Sequence, residues 1–239
     1  MCFFYSLPKK AKQVARRYGK QLTLFDDTAF DNKMLIKGYD HKNSNLIVTT
    51  EHDIQFAKWG LIPFWTPQDF AEVIIKKNRN VNARSEEIFT TKSFRFPIDK
   101  QRCLIPATGW FEYHYLEDGS KQIYYMSVKD EEIYSFAGIY DFWTDKKTKE
   151  RSMRYAIITC GANNQMYFIH NGGENPHRMP VILKKEDEKV WLDPETPVKV
   201  LDALMQPFPD ELMDAYVIKK SSEEFRKAGP FDYDLTDKL

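Results

Sequence analysis

The sequence predicts an α+β fold: a β-rich single domain, built as an antiparallel sheet or barrel, with short peripheral helices. Between residues 102 and 160 the chain has five short stretches rich in Tyr, Phe, Ile and Val, the composition that favours strands. Strands and helices do not alternate regularly, which argues against a parallel α/β fold. No repeat, Gly/Ser linker or change in composition divides the 239 residues, so we expect one domain over 1–239.

The first third of the chain contains three predicted elements. Pro8 precedes an amphipathic stretch, 9–18, which ends at Gly19, and this pattern is typical of a short helix. Runs of apolar and β-branched residues predict strands at 46–50 and 53–59.

The β-rich part follows. Strands are predicted at 102–106, 110–116, 122–128, 133–141 and 153–160. Asp118 and Gly119 lie between the second and third of these strands, and an Asp-Gly pair in that position indicates a hairpin. Helices at 184–192 and 197–205 and a strand at 215–219 complete the prediction.

Charge and composition exclude several classes of protein. The 35 Lys and Arg balance 35 Asp and Glu, which argues against a protein that coats nucleic acid by bulk charge. A local basic cluster remains at Lys76, Lys77 and Arg79, as a DNA contact or simply as a solvated surface. The longest stretch without Asp, Glu, Lys or Arg, 155–173, contains several amide side chains and is unsuited to span a membrane.

Cysteine usage and the N-terminus bear on compartment and cofactors. The three cysteines form no C-x-x-C pair and have no zinc-ligand spacing, and the N-terminus lacks the charge-then-apolar order of a secretory signal. We therefore expect a cytoplasmic protein without a zinc site. We also expect a monomer that uses neither a metal nor an organic cofactor, since the amine, thiol, carboxylate and imidazole groups considered below suffice for a condensation.

Cys2 is the first residue with distinctive chemistry. Removal of Met1 would leave an α-amine and a thiol on adjacent carbons, with ordinary pKa values of about 7.7–8.0 and 8.5. The amine of such a group forms an imine with an aldehyde, and the thiol then closes a thiazolidine ring. The alternative is a cysteine that is buried as a small apolar side chain.

Two further segments carry residues suited to DNA. Trp59 and Trp65 flank a Gly- and Pro-containing turn and could stack on bases, or could belong to the core. Asn82 could hold an amine through its carbonyl oxygen, and Arg84 could grip a phosphate. The alternative is an ordinary capped helix start, since the Ser and two Glu that follow predict a helix over 85–92.

Glu112 and two histidines could supply acid–base chemistry. Glu112 lies among aromatic residues, and if it faces inward, burial would raise its pKa and suit it to move protons near neutrality. If it faces outward, it is a surface acid. His170 and His177 bracket a Gly- and Asn-rich loop before Arg178, which could bind a second phosphate.

Together these segments resemble the SRAP (SOS response-associated peptidase) family of abasic-site processing proteins. The matching pieces occur in family order: Met-Cys at 1–2, W-G-L-I-P-x-W at 59–65, N-A-R-S-E at 82–86, C-L-I-P-A-x-G-W-F-E at 103–112, and I-H with R-M-P-x-I-L within 169–183. Each motif is weak alone, and five in order make a specific match.

The resemblance implies a SRAP fold that senses abasic sites in single-stranded DNA, crosslinks to them and shields them during the DNA damage response, in association with the nucleoid. It implies that Cys2, freed by a peptidase-like self-processing step, forms the thiazolidine. Asn82 would orient the amine, Glu112 would move protons and His170 would assist sugar opening. Arg84 and Arg178 would hold phosphates, and a lyase-type β-elimination is a reasonable side activity of the imine.

Two departures from the family pattern bear on these roles. Phe3 stands where the family usually has Gly, which changes access to the nucleophile. A loop separates His170 from the R-M-P arginine, so His177, which adjoins Arg178, is a rival for the catalytic histidine.

Two other functions fit parts of the sequence. Cys2 could be the N-terminal nucleophile of a cysteine amidase or amidotransferase, which would release ammonia and ignore DNA. The tryptophans and basic clusters could instead serve a non-catalytic single-stranded-DNA-binding module, which would bind in a salt-sensitive way without a covalent product.

Overall fold

The computed structural model describes residues 3–20, 32–50 and 54–239. The strands and helices of this part of the chain follow in the order β1 (Phe4–Leu7), α1 (Ala11–Tyr18), β2 (Lys33–Lys37), β3 (Ser44–Val48), β4 (Ile54–Trp59), α2 (Gln68–Lys76), β5 (Asn82–Arg84), α3 (Pro97–Lys100), β6 (Arg102–Ala107), β7 (Gly109–Tyr115), β8 (Lys121–Val128), β9 (Tyr134–Thr144), β10 (Arg151–Gly161), α4 (Asn164–Ile169), β11 (Arg178–Pro180), β12 (Ile182–Leu183), α5 (Glu188–Leu192), α6 (Val198–Leu204), β13 (Met213–Val217) and α7 (Ser222–Lys227). Short 3₁₀ turns lie at Ser85–Glu87, Asp210–Leu212 and Tyr233–Thr236.

The first sheet is antiparallel, in the order β13-β8-β7-β1-β2. Its β7–β8 hairpin closes where the Asp-Gly pair predicts it, with Tyr115 opposite Lys121. Gly119 has a φ of 80°, a left-handed conformation that glycine adopts at little cost. The hairpin prediction is confirmed.

The second sheet closes into a five-stranded barrel. β10 pairs with β4, β4 with β3, β3 with β6, β6 with β9, and β9 returns to β10. Most of these pairs are antiparallel, whereas β10 runs parallel to β4 and also to the short strand β5. The predicted class, a β-rich α+β fold with an antiparallel sheet or barrel and short helices, is confirmed.

The helices are short and peripheral. α1 ends at Gly19, as predicted, where a φ of 61° lets the amide nitrogen of Gly19 bond to the carbonyl oxygen of Arg16. The predicted helix over 85–92 is wrong, because only the three-residue 3₁₀ turn forms there, and the predicted helix at 184–192 begins only at Glu188. Within the described ranges no helix has the length and apolar character to cross a membrane.

Trp59 is part of the barrel core. Its side chain is fully buried, its ring stacks on Tyr155 at a centroid distance of 6.0 Å, and its Nε1–H donates to the carbonyl oxygen of Val81 at 2.7 Å. The prediction that Trp59 stacks on a DNA base is therefore wrong, because no face of the ring reaches the surface. Its role is to hold the barrel strand β4 against the residues before β5.

We expect Trp59→Ala to lower the free energy of unfolding by about 3–5 kcal/mol, since it leaves a large cavity in the core. Urea unfolding measures this loss. Trp65→Ala is the matched control and should cost much less, because the Trp65 side chain is partly exposed. Equal losses for the two variants would contradict the assignment of Trp59 to the core.

Candidate functional site

A cavity of about 240 Å³ lies where the start of β1, the end of β7 and the loop between α4 and β11 meet. It is lined by Phe3, Glu112, Tyr113, Tyr115, His170, Gly172, Gly173, Glu174 and Asn175. Two residues with predicted catalytic roles, Glu112 and His170, are therefore neighbours in space although 58 positions separate them in the sequence. A larger cavity of about 900 Å³ between α1 and α5 contains none of the predicted site residues.

The pairing of β1 with β7 brings the N-terminal part of the chain to this cavity. Tyr5 pairs with Trp110 and Ser6 with Gly109, and the same register continued backwards places Phe3 opposite Glu112. The carbonyl oxygen of Phe3 accepts a hydrogen bond from the amide of Gly38 at 2.8 Å. Cys2, the predicted nucleophile, lies outside the described residues.

Glu112 and His170 form the polar centre of the cavity. Oε2 of Glu112 lies 3.9 Å from Nε2 of His170, and each residue is only 5% exposed. Oε1 of Glu112 is buried without a hydrogen-bond partner in the described part of the chain. A buried carboxyl oxygen in this state is ready to bond to a group that enters the cavity, because leaving it unpaired is unfavourable.

The backbone of Arg178 orients the imidazole of His170. Nδ1 lies 3.0 Å from the carbonyl oxygen and 3.2 Å from the amide nitrogen of Arg178, so Nε2 is the atom left towards Glu112. Burial lowers the pKa of His170 below its ordinary value, with the charge of Glu112 opposing this shift. The imidazole is therefore largely neutral at pH 7 and able to accept a proton.

The loop after α4 is fixed against the end of β7. The side chain of Asn171 accepts a hydrogen bond from the amide of Tyr115 at 2.8 Å and donates one to its carbonyl oxygen at 2.9 Å. Gly172 passes so close that a Cβ there would lie 2.6 Å from Cδ2 of Tyr115. Glycine at this position is therefore what allows the loop to form one wall of the cavity.

His177 lies away from the polar centre. Its ring stacks on Tyr167 at a centroid distance of 3.8 Å, and its Nδ1 lies 3.0 Å from the carbonyl oxygen of Tyr167. It does not line the cavity that His170 and Glu112 share.

Two strands that flank β10 carry the predicted phosphate-binding arginines. Arg84 on β5 lies opposite Thr159, and Arg178 on β11 lies opposite Gly161. Arg84 donates to the side-chain oxygen of Asn175, which lines the cavity, and thereby links β5 to the site.

Arg178 is already engaged by a carboxylate. It forms a bidentate ion pair with Glu86, in which Nη2 lies 2.8 Å from Oε2, and it also donates to the carbonyl oxygen of Thr159 at 2.8 Å. The hydrogen bond from Arg178 lowers the pKa of Glu86, so this carboxylate is ionised at neutral pH.

The remaining predicted residues are more dispersed. Asn82 lies on β5 opposite Ile157, two residues before Arg84, and is not among the residues that line the cavity. Trp65 is partly exposed, with the Nζ of Lys92 4.6 Å from its ring centroid. The exposed basic cluster at the end of α2, also away from the cavity lining, consists of Lys76, Lys77 and Arg79.

Sequence reasoning overlooked three contributors to the site. Glu86 was interpreted only as an early helix acid, whereas it pairs with Arg178. Asn175 and Tyr115 have no sequence signal beyond their places in a polar loop and in a strand. As for metals, no group of three or more His, Cys, Asp or Glu in the described residues is placed to hold an ion.

Comparisons with known proteins agree with this architecture. A crystal structure of a protein from Bacteroides thetaiotaomicron superposes with a TM-score of 0.91 and 39% identity, covering 100% of both chains. A crystal structure from Bordetella bronchiseptica, at 21% identity and a TM-score of 0.76, covers 92% of this chain and 100% of its own and shares the fold.

The sequence is also similar to curated proteins. Abasic site processing protein YoqW of Bacillus subtilis (strain 168) is 35% identical over 164 residues, 67% of each chain. Abasic site processing protein HMCES of Gallus gallus is 30% identical over 180 residues, 66% of this chain and 51% of its own. Residues 1–224 match the family described as SOS response associated peptidase (SRAP). The chain belongs to the SRAP family.

Proposed function

We propose that this protein processes abasic sites in single-stranded DNA by trapping them covalently through Cys2 after removal of Met1. One observation carries the proposal: Phe3, the residue that directly follows Cys2, lines the same cavity as Glu112 and His170. The similarity to proteins named abasic site processing proteins supports the choice of substrate.

The chemistry needs only groups of the protein and the lesion. The free α-amine of Cys2 attacks the aldehyde of the ring-opened sugar, and loss of water gives an imine. The thiol sulfur then adds to the imine carbon, so that a C–S bond forms while the nitrogen takes up a proton and the C=N bond becomes single. The product is a thiazolidine. Both the amine and the thiol titrate close enough to neutrality to react at pH 7.

Each neighbouring residue has a proposed part in this sequence. Glu112 passes protons to and from the amine and the departing water, for which its buried, unpaired Oε1 is suited. His170 accepts the sugar hydroxyl proton during ring opening, and its lowered pKa keeps it in the basic form. Asn82 orients the α-amine. The position of His170 beside Glu112 favours it over His177 in this role.

The same residues are proposed to release Met1. Hydrolysis of the Met1–Cys2 peptide bond is a peptidase-like step, in which Glu112 would again move the protons. To test this, the protein is expressed in a host that lacks methionine aminopeptidase activity on this chain, and the purified protein is measured by mass spectrometry. The wild-type protein should begin at Cys2, and Glu112→Gln should retain Met1. Equal processing of both would assign the removal to the host.

The arginines are proposed to hold phosphates beside the lesion. For single-stranded DNA, each phosphate contact contributes about 0.7 to the slope of log binding constant against log salt concentration. We therefore expect Arg84→Ala to weaken binding at every sequence and to flatten this slope by about 0.7. Binding titrations with undamaged single-stranded DNA from low to moderate salt measure this. Lys199→Ala, a change at an exposed lysine on α6, is the control. An unchanged slope for Arg84→Ala would contradict its phosphate contact.

Glu86 competes with DNA for Arg178 in this proposal. The pair is partly exposed and worth little on its own, so Glu86→Gln should strengthen binding to single-stranded DNA about two- to fivefold and make the salt slope steeper. The same titrations measure it. Weaker binding by Glu86→Gln would show instead that the carboxylate holds Arg178 in its binding position.

The proposed DNA surface also includes the partly exposed Trp65 and the basic cluster of Lys76, Lys77 and Arg79. Trp65 offers an exposed ring edge or face for a base, and the three cations offer charge along the backbone.

The decisive assay incubates the protein with a single-stranded oligonucleotide that carries one abasic site and then denatures the mixture. Wild type should give a heat-stable adduct, and Cys2→Ala none. Binding to DNA without any adduct would support the non-catalytic binding module, and ammonia release from amides with no DNA binding would support the amidase. An adduct of equal yield from Cys2→Ala would overturn the proposed chemistry.

A further inference from the structure

We propose that a second depression, on the outer face of the first sheet, binds the nucleotides that flank the abasic site on one side. This inference rests on the proposed function. The depression, called here the tyrosine groove, has a volume of about 430 Å³ and is lined chiefly by Tyr39, Tyr113, Tyr115, Lys121 and Arg226.

The floor of the tyrosine groove is set by the β7–β8 hairpin. Tyr113 and Tyr115 are two residues apart on β7, so their side chains leave the same face about 7 Å apart. Lys121 is directly opposite Tyr115, and its Nζ lies 4.4 Å from the ring centroid of Tyr115 and 5.6 Å from that of Tyr113. The floor therefore combines two aromatic rings with one cation.

The walls of the tyrosine groove are held by a buried aromatic cluster. Phe225 of α7 packs on Phe4 and Tyr113 at centroid distances of 5.1 and 6.0 Å, and this contact places the next residue, Arg226, at the rim. Phe4 also contacts Tyr39, at 5.9 Å, and Tyr39 remains 42% exposed. The groove is thus a built depression with an exposed ring on one side and a guanidinium on the other.

The cations of the tyrosine groove are available to a ligand. Lys121 and Arg226 are exposed, and neither forms an ion pair with a carboxylate in the described ranges. The two acids beside Arg226 on α7 are engaged elsewhere, Glu223 by Lys227 and Glu224 by the cap of the helix. Charge complementarity therefore favours an anionic ligand.

Continuity with the candidate cavity identifies that ligand. Tyr113 and Tyr115 line both the cavity and the tyrosine groove, so a strand whose abasic residue occupies the cavity passes directly from one to the other. Exposed aromatic rings interleaved with cations are the features that bind single-stranded DNA without sequence preference, by stacking of bases and neutralisation of phosphates. An acidic peptide could also pair with these cations, but it has no group equivalent to the abasic sugar that would bind in the adjoining cavity.

The test compares oligonucleotides that differ only in where they extend. One carries the abasic site with nucleotides on the 5′ side, one with nucleotides on the 3′ side, and one is an abasic deoxyribose 3′,5′-bisphosphate without flanking nucleotides. The variant is Tyr39→Ala combined with Lys121→Ala; in the described part of the chain neither residue forms a hydrogen bond or ion pair with Glu112 or His170. Lys199→Ala, a change at an exposed lysine on α6, is the matched control, and equal urea midpoints establish that each variant is folded.

We expect the double variant to lose about 5- to 100-fold in crosslinking rate at subsaturating DNA for one of the two extended oligonucleotides, and to react normally with the bisphosphate, which has no nucleotide to place in the groove. The affected oligonucleotide gives the polarity of the bound strand. Undiminished rates with both extensions, or an equal loss with the bisphosphate, would overturn the groove while leaving the crosslinking chemistry intact.

Anisotropy titrations with the same extended oligonucleotides, containing a stable tetrahydrofuran in place of the sugar aldehyde, separate the two proposals. If wild type forms no adduct at all, the proposed function fails, and the groove is still decided by binding. Weaker binding of one extended oligonucleotide by the double variant supports the tyrosine groove as a DNA site. Unchanged binding of both oligonucleotides overturns it, as does a loss confined to the binding of an acidic peptide.

Discussion

Glu112→Gln should slow covalent trapping of an abasic site by about 10²- to 10⁴-fold, the usual contribution of a positioned general acid–base group. Glutamine keeps the size of the buried side chain but cannot carry a proton. Imine formation requires that protons leave the amine and reach the departing hydroxyl, and closure requires another transfer from sulfur to nitrogen. We expect non-covalent binding to a tetrahydrofuran oligonucleotide to be unchanged, so the loss lies in the chemical step.

Glu174→Gln provides the control for this prediction. Glu174 lines the same cavity but is exposed, and it forms no ion pair with His170 in the described part of the chain. Replacement of Glu174 should change the trapping rate by less than about threefold, because an exposed charge contributes little interaction energy. Similar losses for the two variants would mean that the cavity needs negative charge in general rather than a proton carrier at Glu112.

Replacement of the two histidines should have opposite outcomes. His170→Ala removes the ring that lies 3.9 Å from Glu112, and we expect it to slow trapping by about 10²-fold or more. His177→Ala removes a ring that stacks on Tyr167 and should leave the rate nearly unchanged. Single-turnover rates with excess protein measure both. A severe loss in His177→Ala with normal His170→Ala would reassign the catalytic histidine.

The pH dependence of stability gives an independent readout for His170. Its folded pKa lies below the unfolded value of about 6.5 because burial disfavours the charged ring, so the unfolded state binds more protons at acidic pH. Stability should therefore be lost as the pH falls through 6.5 towards the folded pKa. Urea unfolding between pH 7.5 and 5 should show a shallower loss for His170→Gln than for wild type, and identical slopes would contradict a buried, neutral imidazole.

Local patterns predicted much of this structure. The Asp-Gly pair predicts the β7–β8 hairpin because the turn chemistry is contained in four residues. The helix that ends at Gly19 is equally local. Glu112 and His170 were identified from residue type and motif context, and the fold then places them in one cavity.

Other features depend on contacts between distant segments. Asn82 to Arg84 precede a helix-like pattern, but they form a strand because the edge of β10 offers hydrogen bonds to them in a parallel register. Trp59 is buried because the barrel closes around it, which the local W-G-L-I-P-F-W pattern at 59–65 does not reveal. Neither the parallel direction of that pairing nor the closure can be inferred from the residues of one segment.

The pairing of Arg178 with Glu86 illustrates the same limit for the site. Ninety-two positions separate the two residues, and each has an ordinary local explanation, as a strand residue after a loop and as an early helix acid. Only the arrangement of β5, β10 and β11 brings them together. It also changes the expected chemistry, since the phosphate of a bound strand has to displace or share a carboxylate.

Mass spectrometry of the proteolysed adduct tests the central claim most directly. We expect the N-terminal peptide to begin at Cys2 and to carry the sugar remnant with the loss of one water. We also expect it to resist borohydride reduction and to have no thiol that iodoacetamide can alkylate. Those properties together define a closed thiazolidine. A sugar remnant on a lysine, or on a peptide that still begins with Met1, would contradict it.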